Sequence, residues 1–333
     1  MSNKIKVGVL GLGRIAKMHI QNMQQIGGFE IVKGVDPFLT PELEKEILDL
    51  GVKSCSKEAD DIFNDKDIEA VVICSITSTH SDYIIKAARK KKSIFCEKPI
   101  DNNIDRILDA LKVVKEEGVI LELGFVRRFD KNHGKIAEEV KNGKIGRPEM
   151  IHILSRDAEP SPISYLKGSG GIFVDMLIHD FDMARFIMGC DVTEVFAMGE
   201  ALVDPEVATI DDIDSAIVTL KFANGAIGTV IGSRRSGFGY DQRIEILGSE
   251  GFLIDSNEFE HNVKFYNRQG YTGARVVDGF RSRYGDAFFK ELIEFKNAVK
   301  EKREPIVTGL DGLKSYLIAD AANRSRKSGK FEK

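Results

Sequence analysis

The 333-residue chain has no tryptophan, four cysteines and no apolar run long enough to span a bilayer. Cys55, Cys74, Cys96 and Cys190 stand far apart and lack metal-ligand spacing, so neither a disulfide framework nor a cysteine-held metal is expected. A surplus of one charge is missing too. The 48 basic and 52 acidic residues leave a net charge of -4, and the bases are scattered apart from Lys86–Lys92, which reads as the solvated end of a helix. That argues against nucleic acid or a membrane surface as partner. No charged-then-apolar leader precedes the first strand, so a cytoplasmic location is expected. The chain is longer than one compact core usually holds, which predicts two domains.

What is present begins with a strand pattern, Ile5–Leu10, running into Gly11-Leu12-Gly13-Arg14-Ile15-Ala16 and then a helical pattern to about Gln25. This is a dinucleotide fingerprint in its strand–turn–helix setting: Gly11 permits the turn, Gly13 admits a pyrophosphate, and the helix start offers N–H groups. The next strand ends on Asp36, placed to bind the adenosine ribose hydroxyls. Pro37 and Phe38 follow, with no adjacent arginine for a 2′-phosphate, so NAD is favoured over NADP. Strands at Ala70–Ile76, Ser93–Cys96 and Val119–Leu123 alternate with helices at Ser81–Lys91 and Ile104–Glu117, predicting a doubly wound parallel α/β sheet.

Ligands bind beyond the carboxyl ends of such strands. Ser75, Thr77 and His80 lie there, as do Glu97 and Lys98 before Pro99. Lys98 is either a surface lysine or one aimed at a bound ligand, and position alone does not separate the two. His80 reads more as a capping or packing residue than as a catalyst.

After Gly124 the alternation stops. Long strands at Met150–Ser155, Val192–Val203, Ser215–Phe222, Ala226–Arg234, Gln242–Gly248, Gly251–Asp255 and Asn262–Tyr266 predict an α+β second domain with a large, mostly antiparallel open sheet. The boundaries expected are 1–123 for the dinucleotide-binding domain and 124–333 for the second. Two packed helices, Tyr284–Lys300 and Asp311–Ser328, close the chain. Between the first two of those strands, Ile172 to Met188 reads as one buried helix carrying Asp175 and His179 four positions apart, hence on one face. Asp180 and Asp182 point elsewhere and read as structural or capping residues.

Three functions compete for these residues. A metal-dependent hydrolase or lyase would draw on Asp175, His179, Asp180, Asp182 and His152, but their helical directions diverge and no metal is expected. A non-catalytic NAD sensor would need Gly11, Gly13 and Asp36 and have no use for Lys98, Asp175 and His179 together. A dehydrogenase uses all of them: His179 as base, Asp175 to orient it or bind substrate, and Lys98 on the reacting oxygen.

The fingerprint, Val35-Asp36, the Ser75–His80 turn, Cys96-Glu97-Lys98-Pro99 and the later Asp-x-x-x-His at Asp175 resemble the glucose–fructose oxidoreductase and inositol dehydrogenase family. The resemblance covers nearly the whole chain. It implies a cofactor set of Gly11, Gly13, Arg14, Ile15, Asp36, Ser75, Thr77, His80, Glu97 and Lys98. It also implies catalysis by Lys98, Asp175 and His179, and a substrate pocket that adds Arg127, Asp157 and Tyr240, with Phe280–Tyr284 nearby. Segments at Ser155–Asp157, Ser169–Met176, Ile178–Asp182 and Tyr240–Arg243 look most like inositol 2-dehydrogenases. The reaction implied is myo-inositol plus NAD to the 2-keto compound plus NADH, carried out by a homo-oligomer, usually a tetramer built through the open sheet. Val126 departs from the polar residue or methionine common in relatives, which keeps scyllo-inositol, an inositol ketone and hexoses open as substrates.

Overall fold

The computed structural model describes residues 4–333, which divide into two compact units: residues up to Val126 together with Asp286–Lys314, and Arg127–Gly285 together with Ser315–Lys333.

In the first unit, β1 (Ile5–Leu10), α1 (Arg14–Ile26), β2 (Phe29–Val35), α2 (Pro41–Asp49), β3 (Cys55–Ser56), α3 (Asp60–Phe63), β4 (Ala70–Ile73), α4 (His80–Arg89), β5 (Ser93–Cys96), α5 (Ile104–Glu117) and β6 (Leu121–Leu123) follow one another. The strands form one parallel sheet in the order β3-β2-β1-β4-β5-β6. Its central strand β4 is apolar and buried throughout, as both faces are covered. Val7, Val9, Val72 and Phe95 pack with Ala16 and Ile20 of α1, and with Leu292 and Phe295 from the returning segment. Helix α2 is not among the elements the pattern predicts; only Ile47 of it is buried, and Thr40 caps it ahead of Pro41.

The second unit contains α6 (His133–Lys141), β7 (Pro148–Arg156), α7 (Ile163–Ser169), α8 (Gly171–Asp175), α9 (Ile178–Met188), β8 (Val192–Glu200), β9 (Ser215–Phe222), β10 (Ile227–Ser233), β11 (Asp241–Gly248), β12 (Phe252–Asp255) and a hairpin of β13 (Phe265–Asn267) and β14 (Gly270–Thr272). Two long helices complete the chain, α10 (Phe280–Glu301) and α11 (Gly309–Ser328). The large sheet runs β12-β11-β7-β10-β9-β8 and is antiparallel except where β7 pairs with β10.

The single helix expected over Ile172 to Met188 is two. Leu177 N bonds to Ile172 O at 2.9 Å, five residues back, and both Asp180 N and Phe181 N bond to Leu177 O. This wide turn followed by a tight one resets the helical phase. Leu177, fully buried, seats against Gly232 of β10, where a Cβ would approach it to 2.5 Å. Asp175 thus ends one helix and His179 opens the next, so they are not stacked on one continuous face.

Candidate functional site

At the end of β1 the chain turns at Gly11, with φ +82°; a Cβ there would lie 2.6 Å from the Ser75 backbone. Only glycine fits. At Gly13 a Cβ would meet no protein atom within 4 Å, so a phosphate can approach the main chain. Gly13 caps α1 without a side-chain bond, and the first turn holds no acidic residue, which leaves the positive end of the helix to an anion. Arg14 and Ile15 open that helix. Asp36 accepts the Leu12 N–H on Oδ2 and the Phe38 N–H on Oδ1, both at 2.9 Å. The Asp36 carboxylate is therefore fixed to the glycine loop itself. These features fit NAD.

Ser75 and Thr79 share a hydroxyl hydrogen bond of 2.7 Å, and Thr77 opens the short 3-10 turn between them. His80 is buried, its Nδ1 2.8 Å from Pro99 O and its Nε2 2.9 Å from Ser75 O. Burial pushes its pKa down despite these carbonyl contacts, so near neutrality one of the two carries the hydrogen. The residue braces the β4 turn against the turn holding Lys98. Lys98 is half-buried and precedes Pro99 through a cis peptide bond. The Glu97 carboxyl points inward, Oε1 lying 2.7 Å from Nε2 of the buried His19.

In the second unit, the Asp175 carboxylate accepts from Arg234 Nη1 at 3.0 Å and from the Tyr165 hydroxyl at 2.8 Å. Arg234 is 1% exposed. His179 is half-buried at the start of α9. Asp180 and Asp182 turn away from it as expected: Asp180 pairs with Arg127 at 2.5 Å and Asp182 with Arg128 at 2.5 Å. His152 bonds to Thr229 across the sheet. The oxygen–nitrogen set weighed for a metal does not converge among the described residues.

Arg127 is 4% exposed and also donates to Ser155 Oγ at 3.1 Å, which in turn donates to Gln242 Oε1 at 3.0 Å. Its guanidinium lies over the Tyr284 ring, and Tyr240 meets that ring edge-on. Burial pushes the Tyr284 hydroxyl up to about 12 and the Tyr240 hydroxyl up as well, with Arg127 opposing in both cases. Both remain neutral donors at working pH. Asp157 lies half-buried just beyond β7, its N–H bonded to Ser233 O. Sequence reasoning gave no role to Arg234, Tyr165 or Gln242, although Gln242 lies in the Tyr240–Arg243 segment; the partners of Arg234 and Gln242 come from far along the chain.

The parallel sheet with its glycine turn in one unit, and the open mixed sheet in the other, define a two-domain nicotinamide oxidoreductase. Residues 5–125 match the oxidoreductase family with an NAD-binding Rossmann fold, and residues 133–254 match the GFO/IDH/MocA C-terminal domain. The chain belongs to the GFO/IDH/MocA family of oxidoreductases. It is 42% identical to the myo-inositol 2-dehydrogenase of Thermotoga maritima, over 98% of this chain and 99% of that one. It is 40% identical to an inositol 2-dehydrogenase of Rhizobium meliloti, with 96% of each covered. Among solved structures, the scyllo-inositol dehydrogenase of Lactobacillus casei with bound NAD(H) and scyllo-inositol superposes with a TM-score of 0.92 at 28% identity, over 99% of this chain and 98% of that one.

Proposed function

We propose that this protein oxidises the C2 alcohol of myo-inositol to the ketone with NAD as acceptor. The observation that carries the reading is the 42% identity over essentially the full length of both chains to a myo-inositol 2-dehydrogenase. NAD supplies the acceptor for the hydride leaving the carbinol carbon. The chain's own groups do the rest. His179 takes the hydroxyl proton, as an imidazole titrates near the working pH. Lys98 donates to the reacting oxygen and stabilises negative charge developing there. Asp175, fixed by Arg234 and Tyr165, orients a substrate hydroxyl or the His179 ring. Arg127, Asp157 and Tyr240 complete the substrate set, Arg127 largely by ordering its neighbours, since its own charge is spent on Asp180. Gly11, Gly13, Arg14, Ile15, Asp36, Ser75, Thr77, His80, Glu97 and Lys98 form the cofactor set, directly or by shaping the loops that bind it.

The scyllo-inositol relative keeps a second substrate in view, and buried Val126 stands where the polyol preference is expected to be set. Discrimination between the two isomers rests on a few hydrogen bonds. Absorbance of reduced nicotinamide with NAD or NADP, against myo-inositol, scyllo-inositol and hexoses, tests the reading. Fastest reduction of NAD by myo-inositol is expected, and no reduction with any polyol would sink it.

The working form is proposed to be a homotetramer in a reducing, cytoplasmic setting. No helix of the described residues is long and apolar enough to cross a membrane, and all four cysteines are free thiols. The outer face of the large sheet carries Met198, Ile217, Ile231 and Leu154 in one register row across β8, β9, β10 and β7. Ile217 is 52% exposed and Met198 65%, an apolar face that a second copy would bury. Ile217→Lys should lower the sedimentation mass.

A further inference from the structure

Behind the Lys98 turn, inside the first unit, four titratable side chains meet in an apolar setting. His19 comes from α1, Glu97 from the end of β5, Glu122 from β6 and Glu291 from α10. His19, Glu122 and Glu291 are fully buried, and the Glu97 side chain is 15% exposed. The ring of His19 stands edge-on to Phe95 and Phe288, and the thiols of Cys74 and Cys96 lie close by. One ring nitrogen of His19 and one carboxyl oxygen each of Glu97 and Glu291 lie within 4.8 Å of one another. Both oxygens of Glu291 are buried with no hydrogen-bond partner among the described residues.

Three carboxyls with one imidazole cannot all be ionised here. Burial, then the charges of Glu97 and Glu122, push the Glu291 carboxyl well up, and burial with Glu294 nearby pushes Glu122 up to about 9, against the pull of Arg303. A neutral carboxyl has one O–H to give, and the Glu97 carboxylate is an acceptor beside Glu291. Glu97 is built to receive it. Its main chain is pinned by Glu97 N to Ile73 O at 2.9 Å and by Gly124 N to Cys96 O at 2.8 Å. Its Oε2 lies so close to Gly124 that a Cβ there would approach to 3.1 Å. Lys98 is the next residue.

We propose that the carboxyl group of Glu291 donates a hydrogen bond to Glu97 and, with His19 on the other oxygen, fixes the direction in which the chain presents Lys98. His19, Glu97 and Glu291 are then positioning residues: they touch neither substrate nor reacting atoms but set where the Lys98 ammonium points. The inference rests on the reading of Lys98 as the group at the reacting oxygen.

Glu291→Gln keeps a neutral donor of the same shape, whereas Glu291→Met removes it. With myo-inositol and NAD, Glu291→Met should lower kcat about 10- to 100-fold, the range for supporting residues around a reactive group. KM values should stay within about twofold and NAD binding should persist, while Glu291→Gln should recover most of the lost turnover. Gln as poor as Met would mean that an anion or a bound metal is required there and would overturn the proposal, as would wild-type turnover in Glu291→Met. A second readout needs no substrate. The infrared difference between wild type and Glu291→Gln at neutral pH should show a protonated carboxyl C=O band that shifts in deuterium oxide, and its absence would equally overturn the proposal. Should the protein oxidise no inositol, the functional reading fails while the infrared result still decides the Glu291 assignment.

Discussion

Asp175 is held by Arg234: Oδ2 accepts from Nη1 at 3.0 Å, and the arginine that holds it is 1% exposed. Arg234 also lies 3.8 Å from the Asp212 carboxylate, whose Oδ1 accepts the Ile172 N–H at 3.1 Å near the start of α8. One guanidinium therefore orients the candidate catalytic carboxylate and counters the charge of the residue that anchors its helix.

Arg234→Met removes the guanidinium that faces those two carboxylates. Removing one partner of a buried pair costs about 3–5 kcal/mol. The urea midpoint should fall accordingly, and turnover should fall further than stability explains, because Asp175 loses its orientation. Arg234→Lys should restore part of both. Wild-type stability and turnover in Arg234→Met would contradict the assignment.

Asp36 accepts from the Leu12 and Phe38 N–H groups, so its carboxylate shapes the glycine loop as well as serving as the proposed ribose ligand. Asp36→Ala should weaken NAD about tenfold or more, the loss of one to two charge-assisted hydrogen bonds. The preference against NADP should relax at the same time. Titration of cofactor fluorescence reads both, and unchanged NAD affinity would refute the ribose role.

Lys98→Ala tests the oxygen-stabilising role. Loss of a single donor aimed at developing charge typically lowers kcat about 10²- to 10³-fold. Isothermal titration should show NAD still bound. Near-normal turnover would remove Lys98 from the chemistry.

Glu122 gives a stability prediction with a definite sign. Its carboxyl titrates at about 9 when folded and at its ordinary 4.5 when unfolded, because burial and then Glu294 disfavour its charge. Between those values the folded state holds a proton that the unfolded state releases, so this group's contribution is full below 4.5 and is lost as pH rises towards about 9. Denaturant melts across that window should show stability declining with pH, with a shallower slope in Glu122→Gln. An identical slope in both proteins would contradict the buried, neutral state of Glu122.

The parallel half was legible because its strands are continuous apolar runs punctuated by glycine, and the Gly11–Gly13 turn with Asp36 carries its own local chemistry. The six strands of the second sheet were legible from their length, whereas the strand expected at Asn262–Tyr266 is instead part of the separate β13–β14 hairpin. Other features were not. Helix α2 hides because one buried residue makes no periodic stripe. The break between Asp175 and His179 hides because every residue from Ile172 to Phe181 tolerates helix, and what resets the phase is Leu177 seating on Gly232, a contact made across the fold. The partners of the candidate residues hide for the same reason: Arg234 for Asp175, Asp180 for Arg127 and His19 for Glu97 are all distant in sequence. Residue types with reactive groups can be picked out along a chain; what holds them is decided by packing.

The claim that this protein transfers hydride from an inositol carbon to NAD is tested most directly with myo-inositol deuterated at C2. The account predicts one deuterium in the reduced nicotinamide for each ketone formed, and a slower turnover than with unlabelled substrate. Deuterium retained on the ring, or lost to water, would contradict it.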